Sequence, residues 1–552
     1  MALSRPAPDR ASGSPVTHPS FAMRLILNDE LARQKFPEIG RPYRLFRDPG
    51  GRFIAVCSQA PYIGWSGYPA PEGQGLQQRV SLYHPDSFER IATLDCRYPV
   101  NDLSSHPDKL QIAIASGSYD GGYYFDGELL LWDWETGATH QLVLREAMRC
   151  RFELDNSLTV LLRPEHEEQF EDRDAWDTYL GMILKDPGDA DPLHSGDLEH
   201  LGPIDPAEWG FELQPQTYPI MLPPGDLEEL KSMGFVERQL IWDLLWLDDR
   251  TFAAVHQNCH LEIHDMQKGG VASFSGDGYG VELLPRPEGG CLVNVLLRPH
   301  PRMFSEDKSS LHLWDGHKFS LFRNFDHAYS FSTDQTGNIL ARGVNFGKRR
   351  EGAALDAILD PAGQTIHESN LGAFDSNNHG IRLNQGNSLY FLRGTPEDSG
   401  WDKDLCTVHA DGTTHALFNW DDGVHHLACS LAGFVSDQEL IRGCRVYQFG
   451  RRRVESRIER LEIRRGKPSW ITPMAGSITA LSASKELEIV AYSKVDGMLG
   501  LLSLETGEIL FEERLVFDGI PTISTALAIR GNMLLAGTHD GRLLKYHIIP
   551  PV

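Results

Sequence analysis

One short pattern recurs about ten times along the chain and limits what the chain can fold into. Each copy is an apolar run of strand length, and most copies end at once in a tight turn. Most copies are separated by roughly 40–54 residues, a period that is typical of repeat architectures. The copies are VSLYHPD, LLLWDWETG, GMILKDPGD, LEIHDMQKGG, LHLWDGHK, DAILDPAGQ, CTVHADGTT, RLEIRRGK, LLSLETGE and RLLKYHI.

The copy around Trp132 shows what one unit contains. Four strand-length runs follow one another across short turns, in the order VNDLSS, LQIAIAS, ELLLWDW and ATHQLVL. This succession predicts a four-stranded antiparallel meander, whose strands we call a, b, c and d. One such sheet cannot bury both of its faces, so copies must stack on one another. The sequence therefore predicts an all-β propeller of about 8–10 four-stranded antiparallel blades, arranged as one ring or two.

The two chain ends complement each other. The last copy stops after strand c, at residues 542–549. The segment MRLILND, residues 23–29, can supply the missing strand d. An N-terminal strand is therefore predicted to close the propeller, because closure removes exposed sheet edges.

The residues of several copies also match a known pattern. Trp132-Asp133 and Trp314-Asp315 end strand c in two copies, HPDKLQIAIASGSYDG precedes the first, and LEIHD and LLAGTHDGRLLKYHI continue the pattern. In these residues the chain resembles the WD-repeat β-propellers, with degenerate repeats. Leu502-Ser503 stands where Trp-Asp is expected. The resemblance implies blades packed around a channel lined by strand a, and a role in protein–protein interaction.

Three segments are predicted. Residues 1–21 form a disordered leader, residues 22–552 form the propeller, and residues 188–239 form an acidic, Pro-rich insertion within it. The insertion follows from one repeat interval that is too long, and its GDLEELKSMGF stretch predicts a short helix with Asp226 as N-cap. Whether it contacts a partner or only packs on the surface stays open.

Charge and cysteine usage restrict the class of protein. The net charge of −25 disfavours nucleic acid and anionic membranes as partners. No apolar run is long enough for a membrane helix, and the N-terminus lacks the apolar segment of a secretory signal. The 8 cysteines contain no CxxC pair, so reduced, buried thiols in a cytoplasmic protein are expected.

The connections predict which rim of the propeller is functional. The c–d turns are short, whereas many b–c connections are long, and the b–c and d–a connections emerge on the same rim. Function concentrates on loops that a rigid scaffold presents. These loops are rich in aromatic residues, which either anchor a partner or pack their own loops. The predicted partner-binding residues of this kind are Tyr62, Trp65, Tyr68, Tyr123, Tyr124, Phe125 and Trp401.

Charged residues and histidines complete the predicted site. The basic residues could dock an acidic partner or form local ion pairs, and they are Arg349, Arg350, Arg451, Arg452 and Arg453. The acidic run EHEEQFEDRDAWD, residues 165–177, is predicted to be a solvated loop. The start of strand a carries His in three successive repeats, where a blade-to-blade hydrogen bond or a metal site could form. These residues are His327, His379, His425 and His426.

The sequence thus predicts a non-enzymatic interaction scaffold that binds a protein partner through the b–c/d–a rim and the insertion. No cofactor, resident metal or catalytic residue is predicted. The alternative is a metal-dependent hydrolase or lyase that uses the His cluster at the channel mouth. Partner identity and oligomeric state stay open.

Overall fold

A computed structural model describes most of the chain. The described residues are 23–31, 35–36, 38–39, 41–59, 78–119, 123–170, 174–188, 190–193, 195–212, 222–236, 240–297, 307–344, 355–374, 383–384, 386–394, 403–422, 425–447, 455–517 and 520–550. They form ten four-stranded antiparallel sheets, which confirms the all-β prediction and every predicted strand c. The predicted leader and the division into domains are not tested by these sheets, since residues 1–21 lie outside the described ranges.

The first described strand belongs to the last sheet. Sheets 1 to 3 and the short elements around them follow it in the chain. Sheet 1 contains Arg41–Arg47, Ile54–Gln59, Gln78–Tyr83 and Arg90–Cys96. Sheet 2 contains Val100–Ser105, Gln111–Tyr119, Phe125–Asp133 and Thr139–Val143. Sheet 3 contains Ala147–Phe152, Leu158–Leu162, Tyr179–Leu184 and Pro203–Ile204. The described helices are the 3-10 turns Ala175–Asp177 and Ser195–Leu198 and one α-helix, α1, Pro224–Ser232.

Seven further sheets follow. Sheet 4 contains Ile241–Trp246, Thr251–His256, His260–Asp265 and Gly269–Ser275. Sheet 5 contains Tyr279–Pro285, Cys291–Leu297, Lys308–Trp314 and Phe319–Asn324. Sheet 6 contains Tyr329–Thr333, Ile339–Gly343, Asp356–Leu359 and Thr365–Ser369. Sheet 7 contains Ala373–Phe374, Leu389–Gly394, Asp404–Val408 and Thr414–Asn419.

The remaining sheets complete the chain. Sheet 8 contains His426–Ser436, Glu439–Tyr447, Glu455–Glu462 and Lys467–Met474. Sheet 9 contains Ile478–Ser484, Ile489–Lys494, Met498–Ser503 and Ile509–Arg514. Sheet 10 contains Ser524–Arg530, Met533–Thr538, Leu543–Ile549 and, as strand d, Arg24–Leu31. A small hairpin, Val516–Phe517 with Ile520–Pro521, precedes it. No helix in the described ranges is long and apolar enough to span a membrane.

Sheets 4 to 10 close into a seven-bladed ring. Each neighbouring pair shares one buried apolar cluster, from sheets 4 and 5 around to sheets 9 and 10. The seam between sheet 10 and sheet 4 has the same construction, with Ile241 and Phe252 against Ala526 and Leu535. There Thr525 Oγ1 donates a hydrogen bond of 2.6 Å to the Ile241 carbonyl. The ring therefore closes across almost 300 residues of sequence.

The predicted N-terminal closing strand is confirmed. Arg24–Leu31 pairs antiparallel with Leu543–Ile549 and gives sheet 10 its fourth strand. The chain thus enters the ring first, leaves it to build sheets 1 to 3, and returns at Ile241. Because the two ends pair with each other, sheet 10 leaves no open edge on strand c.

Sheets 1 to 3 form a separate arc. Sheets 1 and 2 share a cluster around Phe53 and Trp132, and sheets 2 and 3 share one around Leu129 and Val160. In each strand b, residues facing one neighbour alternate with residues facing the other side, as a pleated strand requires. Ile54 and Val56 of sheet 1 and Leu161 of sheet 3 therefore point away from sheet 2 and need other cover.

The insertion covers both ends of this arc. On sheet 3, Phe211 and Trp209 pack over Leu161. On sheet 1, α1 and the residues after it place Leu230 and Phe235 over Ile54 and Val56. The part of the insertion that the structure describes thus takes the place of neighbouring blades on both outer faces of the arc.

Helix α1 differs in detail from its prediction. It begins at Pro224, and its N-cap residue Pro223 makes no side-chain capping bond. Asp226 is therefore not the N-cap but lies in the first turn, where it pairs with Arg47 of sheet 1 at 3.6 Å. Proline is favoured at the first helical position, since its missing N–H would have no intrahelical partner.

The Trp-Asp residues have the packing roles that the repeat predicts. Trp132 and Trp314 are buried, and each packs against the preceding sheet. Asp133 Oδ1 accepts hydrogen bonds from the backbone N–H of Glu135 and Thr136, so it fixes the c–d turn. The degenerate repeat at Leu502-Ser503 keeps the same geometry with a buried Leu and a Ser that accepts from the Thr506 N–H. The WD-repeat-like fold is thereby confirmed from the sheets themselves.

The arc approaches the ring through buried charges. Arg79 of sheet 1 pairs with Asp95 at 2.7 Å and is 2% exposed. Burial opposes ionisation of Asp540 in sheet 10, but Arg542, His539 and Arg79 together hold the pKa of that carboxyl far below its usual range. Arg79 is thus within electrostatic reach of the ring, and the Asp540 charge favours this arrangement.

The first prediction concerns α1, the cap that covers the outer face of sheet 1. We expect Leu230→Ala to destabilise the cap by about 2–5 kcal/mol, because it leaves a cavity beneath a fully buried side chain. Backbone amides of strand Ile54–Gln59 should then exchange faster with deuterated solvent, whereas those of Ile489–Lys494 in the ring should not change. Glu228→Ala, on the exposed side of the same helix, is the control. Equal effects of both substitutions on sheet 1 would contradict the capping role.

Candidate functional site

The structure describes only part of the predicted partner-binding set. Tyr123, Tyr124 and Phe125 are described, and they lie at the b–c connection of sheet 2. The other predicted residues lie outside the described residues, and for them the assignment stays a prediction: Tyr62, Trp65, Tyr68, Trp401, Arg349, Arg350, Arg451, Arg452 and Arg453. By the strand bounds, all of them fall between strands b and c of their sheets.

The b–c connections of sheets 2 and 3 are joined by backbone hydrogen bonds. The Phe125 N–H donates to the Glu165 carbonyl at 3.1 Å, and the Glu167 N–H donates to the Tyr123 carbonyl at 3.1 Å. Tyr124 and His166 form the antiparallel bridge between these two bonds. A short ladder therefore fixes one loop against the other, so the predicted aromatic residues contact the neighbouring blade rather than only their own loop.

Two groups of aromatic rings lie beside this ladder. In the first, Trp176 contacts Tyr119 and Phe125, with ring centroids 4.9 and 5.2 Å apart. In the second, Tyr123 stacks on His166 at 4.9 Å and contacts Tyr124 edge to face. We call the residues of both groups the rim patch. Phe125 is buried, whereas Tyr124 and Trp176 are 47% and 40% exposed, so the patch has a packed base and two exposed rings.

A buried arginine and a buried carboxyl support the rim patch from below. The guanidinium of Arg163 lies 4.4 Å from the ring centre of Tyr179, and it donates to the carbonyl of Trp176. The Glu146 backbone links the two loops, because its N–H donates to Phe125 and its carbonyl accepts from Arg163. Burial raises the pKa of Glu146 to about 7, although the Arg163 charge and a hydrogen bond with Asn101 oppose the shift.

Two glycines make room for Glu146. Strands b and c of sheet 2 pair as far as Tyr119 and Phe125, so the b–c loop begins only after Tyr119. Gly117 and Gly127 instead pair inside the sheet. A Cβ on Gly127 would lie 2.5 Å from Cα of Glu146, closer than packed carbon atoms approach. Both positions therefore need glycine for the d–a segment to reach the loops.

Carboxylates surround the exposed rings. Glu168 accepts a hydrogen bond of 3.1 Å from the Tyr123 hydroxyl, and Asp174 caps the turn that carries Trp176 by accepting its N–H at 2.9 Å. The acidic run 165–177 was predicted to be a solvated loop. Its convergence with the Tyr123–Phe125 segment is what sequence reasoning missed, because neither segment carries a local signal for a contact between two blades.

A cavity of about 400 Å³ lies on the inner side of the arc. Strand a of sheets 1, 2 and 3 lines it, together with Gly210, Phe211 and Glu212 of the insertion. Arg149 donates to the Glu212 carbonyl at 3.1 Å, and Arg151 donates to the Gly210 carbonyl at 2.9 Å. Its arginines are thus held by the chain's own backbone.

The histidines of the alternative prediction are only partly described. His327 is exposed at the start of sheet 6, and His425 Nδ1 lies 2.8 Å from Asp422. Asp422 in turn pairs with Arg457 at 2.9 Å. His379 and the side chain of His426 lie outside the description. Within the described ranges, no group of three or more His, Cys, Asp or Glu could hold a metal ion, and the metal site stays an untested alternative.

Comparisons with known proteins add little to this geometry. No family model and no curated protein sequence match the chain. Similar solved structures include the WD40 β-propeller domain of Doa1, at 11% identity and a TM-score of 0.36, covering 56% of this chain and 92% of that one. Raptor from Chaetomium thermophilum aligns at 12% identity and a TM-score of 0.39, covering 62% of this chain and 33% of that one. Likenesses this distant carry no argument about function, and the fold rests on the sheets.

The second prediction concerns Glu146 and pH. Its pKa is about 7 in the folded protein and near its ordinary 4.5 in the unfolded chain. The folded state therefore holds this proton more tightly, so the stability linked to it is fully present below about pH 4.5 and is lost as the pH rises through about 7. Glu146→Gln cannot ionise. We expect the free energy of unfolding of this variant to exceed that of the native protein by on the order of 3 kcal/mol at pH 8 and by almost nothing at pH 4.5.

The measurement is the hydrogen exchange of backbone amides in sheets 2 and 3 at increasing urea concentration, at both pH values. It gives the free energy of unfolding of each variant. Glu135→Gln in the exposed c–d turn of sheet 2 is the control and should keep the native pH dependence. A difference between Glu146→Gln and the native protein that stays constant with pH would contradict the assignment.

Proposed function

We propose that the chain is a non-enzymatic interaction scaffold that binds a protein partner through the b–c/d–a rim, with the rim patch on sheets 2 and 3 as one contact surface. The observation that carries this proposal is the exposure of Tyr124 and Trp176 on two loops held together by backbone hydrogen bonds. Aromatic side chains on a fixed base lose little conformational freedom on binding, which favours their use as anchors.

The support beneath the patch favours a preformed surface. Arg163 is 6% exposed and Glu146 is 3% exposed, so both are part of the protein interior. They connect the d–a segment between sheets 2 and 3 with both b–c loops. A partner would therefore meet an ordered surface, and the interaction would not need to order the loops first.

The alternative, a metal-dependent hydrolase or lyase, has weaker support. Of its two histidines with described side chains, His425 already faces Asp422 within an ion-pair network that continues to Arg457. Nucleic acid remains disfavoured by the net charge of −25. We also propose a cytoplasmic location, since the seven cysteines whose side chains are described are free and buried, as expected for reduced thiols.

The third prediction tests the surface. Tyr124→Ala combined with Trp176→Ala should weaken the retention of partner proteins at least ten-fold, because aromatic anchors contribute most of the energy of such contacts. The measurement is cross-linking and affinity purification from the source cells, with the recovered proteins quantified against those bound by the native chain.

Leu154→Ala is the matched control. Leu154 is fully exposed in the a–b turn of sheet 3, on the opposite rim of the same arc. It should leave every partner in place. If both variants keep the same partners, the rim patch is not the contact surface.

A further inference from the structure

The rim patch has a consistent electrostatic sign. Its two loops carry six carboxylates within the described residues 123–126, 163–170 and 174–177: Asp126, Glu165, Glu167, Glu168, Asp174 and Asp177. Two described bases near them are Arg163 and, in the d–a segment, Arg145, which are 6% and 2% exposed, and Arg145 pairs with Glu165 at 3.0 Å. The positive charge of these arginines is thus buried, whereas four of the carboxylates are exposed to solvent: Asp126, Glu168, Asp174 and Asp177.

The inner side of the patch shows how these rings interact with a cation. Arg163 places its guanidinium against Tyr179 at 4.4 Å and Phe125 at 6.0 Å. An aromatic face attracts a cation through its quadrupole, and tyrosine and tryptophan do so most strongly. Tyr124 and Trp176 offer exposed ring surface. Glu168 accepts from the hydroxyl of Tyr123, which contacts Tyr124, and Asp177 directly follows Trp176 in the chain.

We propose that the rim patch binds a basic segment of a protein partner, with lysine or arginine side chains against Tyr124 and Trp176 and between the surrounding carboxylates. This inference rests on the proposed function and adds the chemistry of the partner. Charge complementarity selects this occupant. An acidic segment would be repelled, and a purely apolar one would strip water from the carboxylates without replacing their hydrogen bonds.

The patch must be distinguished from the charge of the whole chain. A net charge of −25 attracts any basic peptide weakly and without a defined site. A specific site depends on the carboxylates beside the rings and on the rings themselves. The test therefore compares equal numbers of charges removed on the two rims.

Fluorescence anisotropy with the full chain and a short labelled peptide of alternating lysine and serine provides the test. Glu167→Gln combined with Asp177→Asn should weaken binding roughly ten-fold, since each lost charge pair on a solvated surface weakens binding several-fold. Glu135→Gln combined with Glu505→Gln removes two charges from exposed c–d turns on the opposite rim, and it should change the affinity less than two-fold, as a small change in a screened long-range field would.

The rings are tested separately. Trp176→Leu keeps an apolar side chain but removes the aromatic face, and it should weaken binding several-fold, whereas Trp176→Phe should retain most of the affinity. Hydrogen exchange of Tyr179–Leu184 shows whether either variant disturbs sheet 3. If Trp176→Leu does disturb the sheet, Tyr124→Leu against Tyr124→Phe gives the same comparison at the other exposed ring.

Three results would overturn the inference. One is equal weakening by the two charge-removing double variants, which would show only attraction to the whole chain. Another is equal binding of a peptide of alternating glutamate and serine. The third is no binding of the lysine peptide while Tyr124→Ala with Trp176→Ala still releases cellular partners, in which case the scaffold stands and the basic partner does not.

Discussion

Every four-stranded sheet in this chain has two apolar faces, and both must be covered. A sheet of four strands is too narrow to fold over on itself, so its faces can be buried only by neighbours. The ring solves this for sheets 4 to 10, where each sheet has a neighbour on both sides. Most other features follow from this requirement, including the closing strand Arg24–Leu31 and the position of the insertion. The chain is therefore best understood by asking what covers each face.

In the arc, the outer faces of the sheets are covered by the insertion and not by further blades. Sheets 1 to 3 do not close, so the outer faces of sheets 1 and 3 would be exposed. The insertion supplies Phe211 on one side and Leu230 on the other, each at 8% exposure or less. An acidic, Pro-rich excursion between two repeats thus buries a few well-placed apolar side chains while its charges stay in solvent. The charges of the insertion are evident from its sequence, whereas its role in covering the outer faces is not.

The features that the sequence predicts are encoded locally, whereas those it does not predict depend on contacts between residues far apart in the chain. Every strand c was predicted, because an apolar run and a tight turn are both encoded within about a dozen residues. The closing strand was predicted as well, since the last repeat lacked a strand that the first residues could supply. The grouping into seven and three sheets was not, because the seam depends on Ile241 meeting Ala526 across the chain. Of the candidate site, the aromatic residues Tyr123 to Phe125 were identified, but their contact with His166 and Trp176 needs two blades in register.

The rim patch depends on the scaffold in a specific physical way. Its two loops belong to successive sheets, whose separation is set by the apolar cluster that holds Leu129 against Val160. That spacing allows the backbone of Glu146 to bond both loops, and the bare Cα atoms of Gly117 and Gly127 allow the segment to come close enough. Burying a carboxyl here has a cost at neutral pH, as its raised pKa shows. The bonds that hold the loops come from the Glu146 backbone, whereas its side chain lies within electrostatic reach of the buried Arg163, whose charge opposes the cost of burial.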